Sequence, residues 1–188
     1  GINAHSGDPH YAPTVERQFF LHAGDFVLLD LWAKLDQPGA VFADITWVAF
    51  AGAEAPAAQR EIFAIVARAR DAAVQFIQQR FAVGQRVQGF EVDDATRAVI
   101  AEAGYGAAFF HRTGHSIDTN GHGNGVNMDN LETHDERTLI PGVGFSIEPG
   151  IYLADFGVRS EINMIVGEGF AEVTTQPVQQ AIVPLLSA

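Results

Sequence analysis

Four carboxylates stand where the surrounding chain gives least reason for charge. Asp30 lies in FVLLDL and Asp44 in VFADITWVAF, while Glu148 lies in FSIEPGIYL and Glu161 in VRSEINMIV. A carboxylate inside an apolar strand is costly unless it is paired or bound to a cation. For one aspartate, a strand-end carboxylate that caps a loop or meets an arginine is an equally good account. Two on neighbouring strands, repeated by two glutamates, weaken that account. Arg159 could satisfy one inward glutamate, but a single guanidinium cannot neutralise four carboxylates. Carboxylates bridging two divalent cations about 3.5 Å apart are the familiar arrangement for hydrolysis.

The histidines form a patterned run, His111, His115 and His122 in HRTGHSIDTNGH. Taken alone, H-x-x-x-H describes two histidines on one helical face or two polar loop residues equally well. The flanking glycines, Gly104, Gly106, Gly114, Gly121, Gly123 and Gly125, favour backbone packed closely against a site over a helix. One imidazole among four carboxylates completes a dinuclear site and leaves the others for hydrogen bonding and proton transfer. His10, in DPHY, is a further candidate; His5, His22 and His134 are given no role.

Composition narrows the classes. The 188 residues suffice for one well-buried domain, with 47% hydrophobic and 18% charged residues. Lys and Arg total 11 against 23 Asp and Glu, a formal charge of −12, which argues against nucleic acid as a partner. There is no cysteine. Disulfides and thiolate metal sites are thereby excluded, and a metal must be held by oxygen and imidazole, as suits Mn, Co, Fe or Zn. A cysteine-free chain also fits the cytoplasm. No stretch approaches about 18 uncharged apolar residues, so no membrane span is expected, and no secretory signal is visible. The chain begins at Gly1 without methionine, which reads as a fragment or a processed product.

The elements that position these residues follow from the apolar pattern. Residues 1–24 read as loop and a short strand, and Phe26–Leu31 and Val41–Phe50 as a hairpin about the Asp36-Gln37-Pro38-Gly39 turn. Pro56 opens a helix to Phe81, with Ile62, Ile65, Val66, Ala69, Ala73, Phe76 and Ile77 at helical spacing. A second helix runs from Val92 to Ala103, with Asp93 or Asp94 near its start and Gly104 as its stop. Phe145–Leu153, Val158–Val166 and Ala171–Thr175 read as strands. Strands, helices, then strands imply an α+β fold, helices covering one face of a curved, largely antiparallel sheet.

The ordered set LLDLWAK, FADITW, RTGHSI, SIEPGIY and VRSEINM resembles the pita-bread metallopeptidases, the family of methionine aminopeptidase, aminopeptidase P and prolidase. The order Asp, Asp, His, Glu, Glu is similar to that family's ligand signature. HRTGH with a further histidine downstream resembles the Xaa-Pro aminopeptidase and prolidase branch. The resemblance implies that Asp30 chelates one of two divalent metal ions, Mn first among them. Asp44 and Glu161 would bridge both metals, and His115 and Glu148 would complete the second metal's shell. It implies a hydroxide between the metals as nucleophile, with Glu148 taking part in proton transfer. His122 and His10 would hydrogen-bond the carbonyl and oxyanion, His111 would lie beside the proline ring, and Arg159 would orient the carboxylates. The implied activity is exopeptidase cleavage of Xaa-Pro bonds.

Two features depart from the pattern. The Asp30–Asp44 gap is a few residues longer than usual, with LDQPGA as the extended turn. Only one helical pair, Pro56–Ala103, is present, so residues 1–188 are expected to be a catalytic domain truncated on its N-terminal side, lacking one helical repeat and the domain before it. Two other readings stay open: a non-catalytic pita-bread module that binds peptides, and a metal-independent creatinase-like C–N hydrolase. The expected partner is a proline-containing peptide, without nucleic acid or membrane; a homodimer or association with a preceding segment is left open.

Overall fold

The computed structural model describes residues 1–186. Its first regular strands are β1 (Phe26–Ala33) and β2 (Ala43–Phe50), antiparallel neighbours as the turn signal predicts. The short strand expected within residues 1–24 is absent; Asn3–Gly7 forms a 3-10 turn, and only Ile2 bridges to Val27. Two helices follow, α1 (Ala57–Ala82) and α2 (Gly89–Glu102). The remaining strands are β3 (Ser116–Asp118), β4 (Gly121–His122), β5 (Gly144–Ile147), β6 (Gly150–Tyr152), β7 (Gly157–Arg159), β8 (Ile162–Gly167), β9 (Phe170–Val173) and β10 (Val183–Pro184). The order is α+β, and the strands form three mostly antiparallel sheets, β1-β2-β10, β4-β3-β5-β8-β9 and β6-β7, with β10 alongside β2 as a parallel pair.

Helix α1 holds the molecule together because its apolar stripe is long enough to serve two cores. Its first turns, with Ile62, Phe63, Ile65, Val66 and Ala69, pack with Phe26, Leu28, Val48, Ile151 and Val158. Its last turns, with Ala73 and Ile77, pack with Phe145, Ile147, Ile162, Met164 and Val166. The observed span lies within a residue of the predicted one at each end. Gly104, at φ +87°, ends the α2 segment in the left-handed region that the sequence signal anticipates.

Three local expectations are corrected. Helix α2 begins at Gly89, capped by Gln88 and Glu91 in a reciprocal capping box, and not by Asp93 or Asp94. The two long strands expected at Phe145–Leu153 and Val158–Val166 are each broken, into β5 and β6 and into β7 and β8. Glu148 and Glu161 sit at those breaks instead of inside the strands. A break frees backbone from the ladder and lets a carboxylate turn inward while its neighbours stay in register. β6 and β7 accordingly pair as a separate ribbon beside the five-stranded β4-β3-β5-β8-β9 sheet.

Candidate metal centre

The β1–β2 register decides which residues face inward. Asp30 is opposite Thr46 and Trp32 is opposite Asp44, so these four share one face. Further along the same face, Phe26, Leu28 and Val48 are buried against α1, and Phe50 is buried as well. Beyond that apolar end, the face opens into a cavity of ≈ 230 Å³. The cavity is lined by Asp30, Asp44, His115, Glu148 and Glu161, and by His10, His111, His122 and Arg159. All nine residues expected to form the site therefore share one cavity.

His115 is held by the strand beneath it. Its backbone N–H donates to Ser146 Oγ at 2.9 Å, and its Nδ1 lies 3.0 Å from the Ser116 carbonyl. A carbonyl can only accept, so Nδ1 carries the proton and the Nε2 lone pair points into the cavity. Nε2 lies 3.5 Å from Asp44 Oδ2 and 3.4 Å from Glu148 Oε1. A lone pair facing two carboxylates is electrostatically unfavourable without a proton or cation between them. The preceding Gly114 is required here, because a side chain would run into the Ser146 carbonyl.

The carboxylates are short of partners. Glu161 is 2% exposed; Thr46 Oγ1 donates to its Oε2 at 2.7 Å, and its Oε1 has no hydrogen-bond partner. Burial, reinforced by Glu148 and Asp44, pushes its pKa well up. Burial also raises Glu148, against the pull of Arg159 and His115. Burial works against a charge on His115, but Asp44 and Glu148 outweigh it and raise its pKa. Arg159 follows the same logic, with Tyr152, Glu148, Glu161 and Asp30 outweighing burial.

Donor atoms of Asp44, His115 and Glu161 lie within 4.8 Å of one another, and Glu148 reaches this group through His115. Asp30 does not join them: it is bonded to the Arg159 guanidinium, whose Nε also donates to Thr46 Oγ1 at 2.9 Å. Four of the five expected ligands thus converge, and the fifth shares their cavity. An orphaned buried carboxylate oxygen, an imidazole lone pair and an all-oxygen-and-nitrogen donor set fit a hard divalent cation.

The other histidines are arranged differently. His122 lies tilted against His115 with ring centroids 3.8 Å apart, and burial followed by His115 lowers its pKa. His111 has both nitrogens engaged, Nδ1 with the Arg112 carbonyl and Nε2 with Tyr152 Oη, each at 2.7 Å. Burial depresses its pKa to about 4, so it is neutral at physiological pH. His10 sits in a turn whose backbone N–H donates to Asp8.

Residues that the sequence reading passed over hold the site together. Asp93, fully buried, accepts from Thr113 N–H at 2.9 Å and Thr113 Oγ1 at 2.6 Å, from Arg97 at 2.6 Å and from Asn130 N–H at 2.9 Å. Arg97 in turn donates to the carbonyls of Phe109 and His111. Thr113 also accepts from the Glu148 N–H at 2.7 Å. One buried carboxylate on α2 therefore anchors the histidine loop to the glutamate strand. The Asp93–Arg97 spacing of four was the available signal. Thr46, two residues from Asp44 on the same face, was another.

Comparison with known proteins agrees with this geometry. The model of metallopeptidase family M24 matches residues 1–168. An Xaa-Pro dipeptidase of Lactobacillus helveticus is 32% identical over 187 residues, 98% of this chain and 46% of that protein. The crystal structure of dipeptidase PepE from Mycobacterium ulcerans superposes with TM-score 0.80 and 31% identity, over 98% of this chain and 46% of that one. An X-Pro aminopeptidase from Thermotoga maritima gives TM-score 0.82 and 27% identity, over 98% and 47%. The chain spans about half the length of these relatives, and its fold is the pita-bread fold of the prolidases. By both sequence and structure, the chain belongs to metallopeptidase family M24.

Proposed function

We propose that residues 1–188 form a catalytic domain whose cavity cleaves Xaa-Pro peptide bonds with the help of two divalent cations, Mn fitting the donor set best. The observation that carries this reading is the meeting of Asp44, His115, Glu148 and Glu161 around an imidazole lone pair and an unpartnered carboxylate oxygen. The names of the relatives, Xaa-Pro dipeptidase and X-Pro aminopeptidase, supply the substrate class.

In this proposal Asp44, His115, Glu148, Glu161 and Asp30 hold the cations. When bound, the cations would supply Lewis-acid chemistry, polarisation of a carbonyl and a lowered pKa for a water molecule. Glu148, with its pKa raised by burial, is suited to hold and return a proton near its Ser146 hydrogen bond. His122 and His10 line the same cavity, and in this proposal they would donate to the oxygen of the scissile carbonyl. His111, kept neutral and fixed by Tyr152, offers a ring face for the proline. Arg159 links Asp30 to Thr46 and so fixes the inner face of the hairpin.

The test is metal analysis combined with turnover of an Xaa-Pro dipeptide and a longer Xaa-Pro-Yaa peptide. Bound Mn with Mn-stimulated cleavage that chelation abolishes is expected. No bound metal and no Mn-stimulated cleavage of either peptide would overturn the reading.

A further inference from the structure

Helix α1 carries a charge between its two cores. Arg70 lies between Val66 and Ala69, which belong to one apolar core, and Ala73 and Ile77, which belong to the other. Its side chain is 1% exposed, and the roles proposed above leave it unused. Among the described residues its one carboxylate partner is the neighbouring Asp71, half exposed, which accepts from Nε at 2.9 Å. A buried guanidinium is weak evidence for stability, since an apolar side chain of similar volume often serves as well or better. What its donors hold is the better account of the charge.

Arg70 Nη1 donates to Ser160 Oγ at 2.7 Å and to the Gln179 carbonyl at 2.9 Å. Ser160 and Glu161 form the break between β7 and β8. Gln179 grips β2, where its Oε1 accepts from the Val48 N–H at 3.0 Å and its Nε2 donates to the Val48 carbonyl at 2.7 Å. Two residues along β2, the Thr46 carbonyl accepts from the Glu161 N–H at 3.2 Å, and the Thr46 hydroxyl donates to Glu161 Oε2 at 2.7 Å. These contacts close a ring that runs from Arg70 through Ser160, Glu161, Thr46, Val48 and Gln179 back to Arg70. Every member is buried, so water does not replace a contact that is lost.

We infer that Arg70 is a positioning residue: from α1 it ties the β7–β8 break to β2 and so keeps the Glu161 carboxylate within reach of Asp44 and His115. The inference deepens the proposed cation site and rests on that reading. A guanidinium suits the task because Nη1 carries two N–H groups in fixed directions, one for each acceptor, which an apolar side chain lacks. Without it, Ser160 Oγ and the Gln179 carbonyl lose a buried donor, and the break is free to relax away from β2.

The experiment uses the whole chain as wild type, Arg70→Met and Ser160→Ala. Leu139→Ala serves as a control that leaves a cavity in the core holding no member of the ring. Backbone amide exchange is read by NMR in the metal-free protein, and Mn affinity by calorimetric titration. In Arg70→Met and Ser160→Ala, the Ser160 and Glu161 amides are expected to exchange about tenfold faster relative to the amides of β8. The Mn dissociation constant is expected to rise about tenfold. Leu139→Ala is expected to leave both values as in the wild type, and an equal effect there would overturn the inference. Unchanged exchange in both ring variants would overturn it, as would faster exchange with unaltered Mn affinity, which leaves Arg70 structural alone. Should Arg70→Met fail to fold, Ser160→Ala decides by the same two readings. A wild type that binds no Mn would sink the proposed function, and exchange in the metal-free protein would still decide whether Arg70 holds the break.

Discussion

On the side of the cavity formed by the histidine loop and the broken glutamate strands, the side chains are seated by buried partners. Asp93 fixes Thr113, Ser146 fixes His115, and Thr46 fixes Glu161. On the β1 side, Asp30 is more than a third exposed and Trp32 more than half, and Arg159 is the main tether of Asp30. The first side is held by hydrogen bonds among groups that water does not reach, with Glu161 Oε1 left unpartnered for a cation. The second can adjust, because water is available to its groups. In the proposed function, the preset half would hold charge and the compliant half would meet the substrate.

The contrast is broken most severely at Asp93. Asp93→Ala leaves Arg97, Thr113 and Asn130 facing a void and should cost about 3–5 kcal/mol of unfolding free energy, read by urea denaturation. Asp93→Asn, which keeps the shape, should cost less. Next in size is the metal itself. Mn at about a hundred times its dissociation constant should add about 2.7 kcal/mol of stability for each cation bound. Glu161→Gln should abolish that increment while making the metal-free protein more stable, because it removes an acid whose ionisation burial, Glu148 and Asp44 all oppose.

The pH response sharpens the same contrast. His111 is depressed to about 4 in the folded state from its ordinary 6.5, so the unfolded chain binds the extra proton between these values. The stability His111 contributes is complete above pH 6.5 and is lost as pH falls from there toward 4. Its loss should amount to roughly 1–3 kcal/mol. His111→Gln should flatten that slope in denaturation curves taken between pH 7.5 and 4.5. The smallest effect is expected at Asp30. Asp30→Asn, on the exposed side, should change stability by under about 1 kcal/mol. It should nonetheless reduce the Mn bound per chain, measured by metal analysis. A large stability loss at Asp30, or a negligible one at Asp93, would undo the division into preset and compliant halves.

Much of this was legible before any coordinates. The hairpin, the two helices and the four carboxylates of the cavity follow from apolar periodicity, turn chemistry and charges in improbable places, and the roles of the histidines followed from the family resemblance. The strand breaks at Glu148 and Glu161 were not legible, because an apolar run reads as one strand whether or not its ladder is interrupted. Asp93 was misread as a helix-start residue. Its type and position suit a cap, and only the arrival of Thr113 from a distant loop reveals its use.

The sequence by itself determined which groups could hold a cation, since their chemistry and order are properties of the chain. It also determined the helix that spans both cores, since a repeating apolar stripe acts locally. Tertiary structure alone decided that Asp30 turns to Arg159 while Asp44, His115, Glu148 and Glu161 converge. It alone decided that Arg70 of α1 meets Ser160 and Gln179. Hydrogen bonds and charge pairs between residues tens to more than a hundred positions apart depend on how the elements pack, and local spacing carries no information about that.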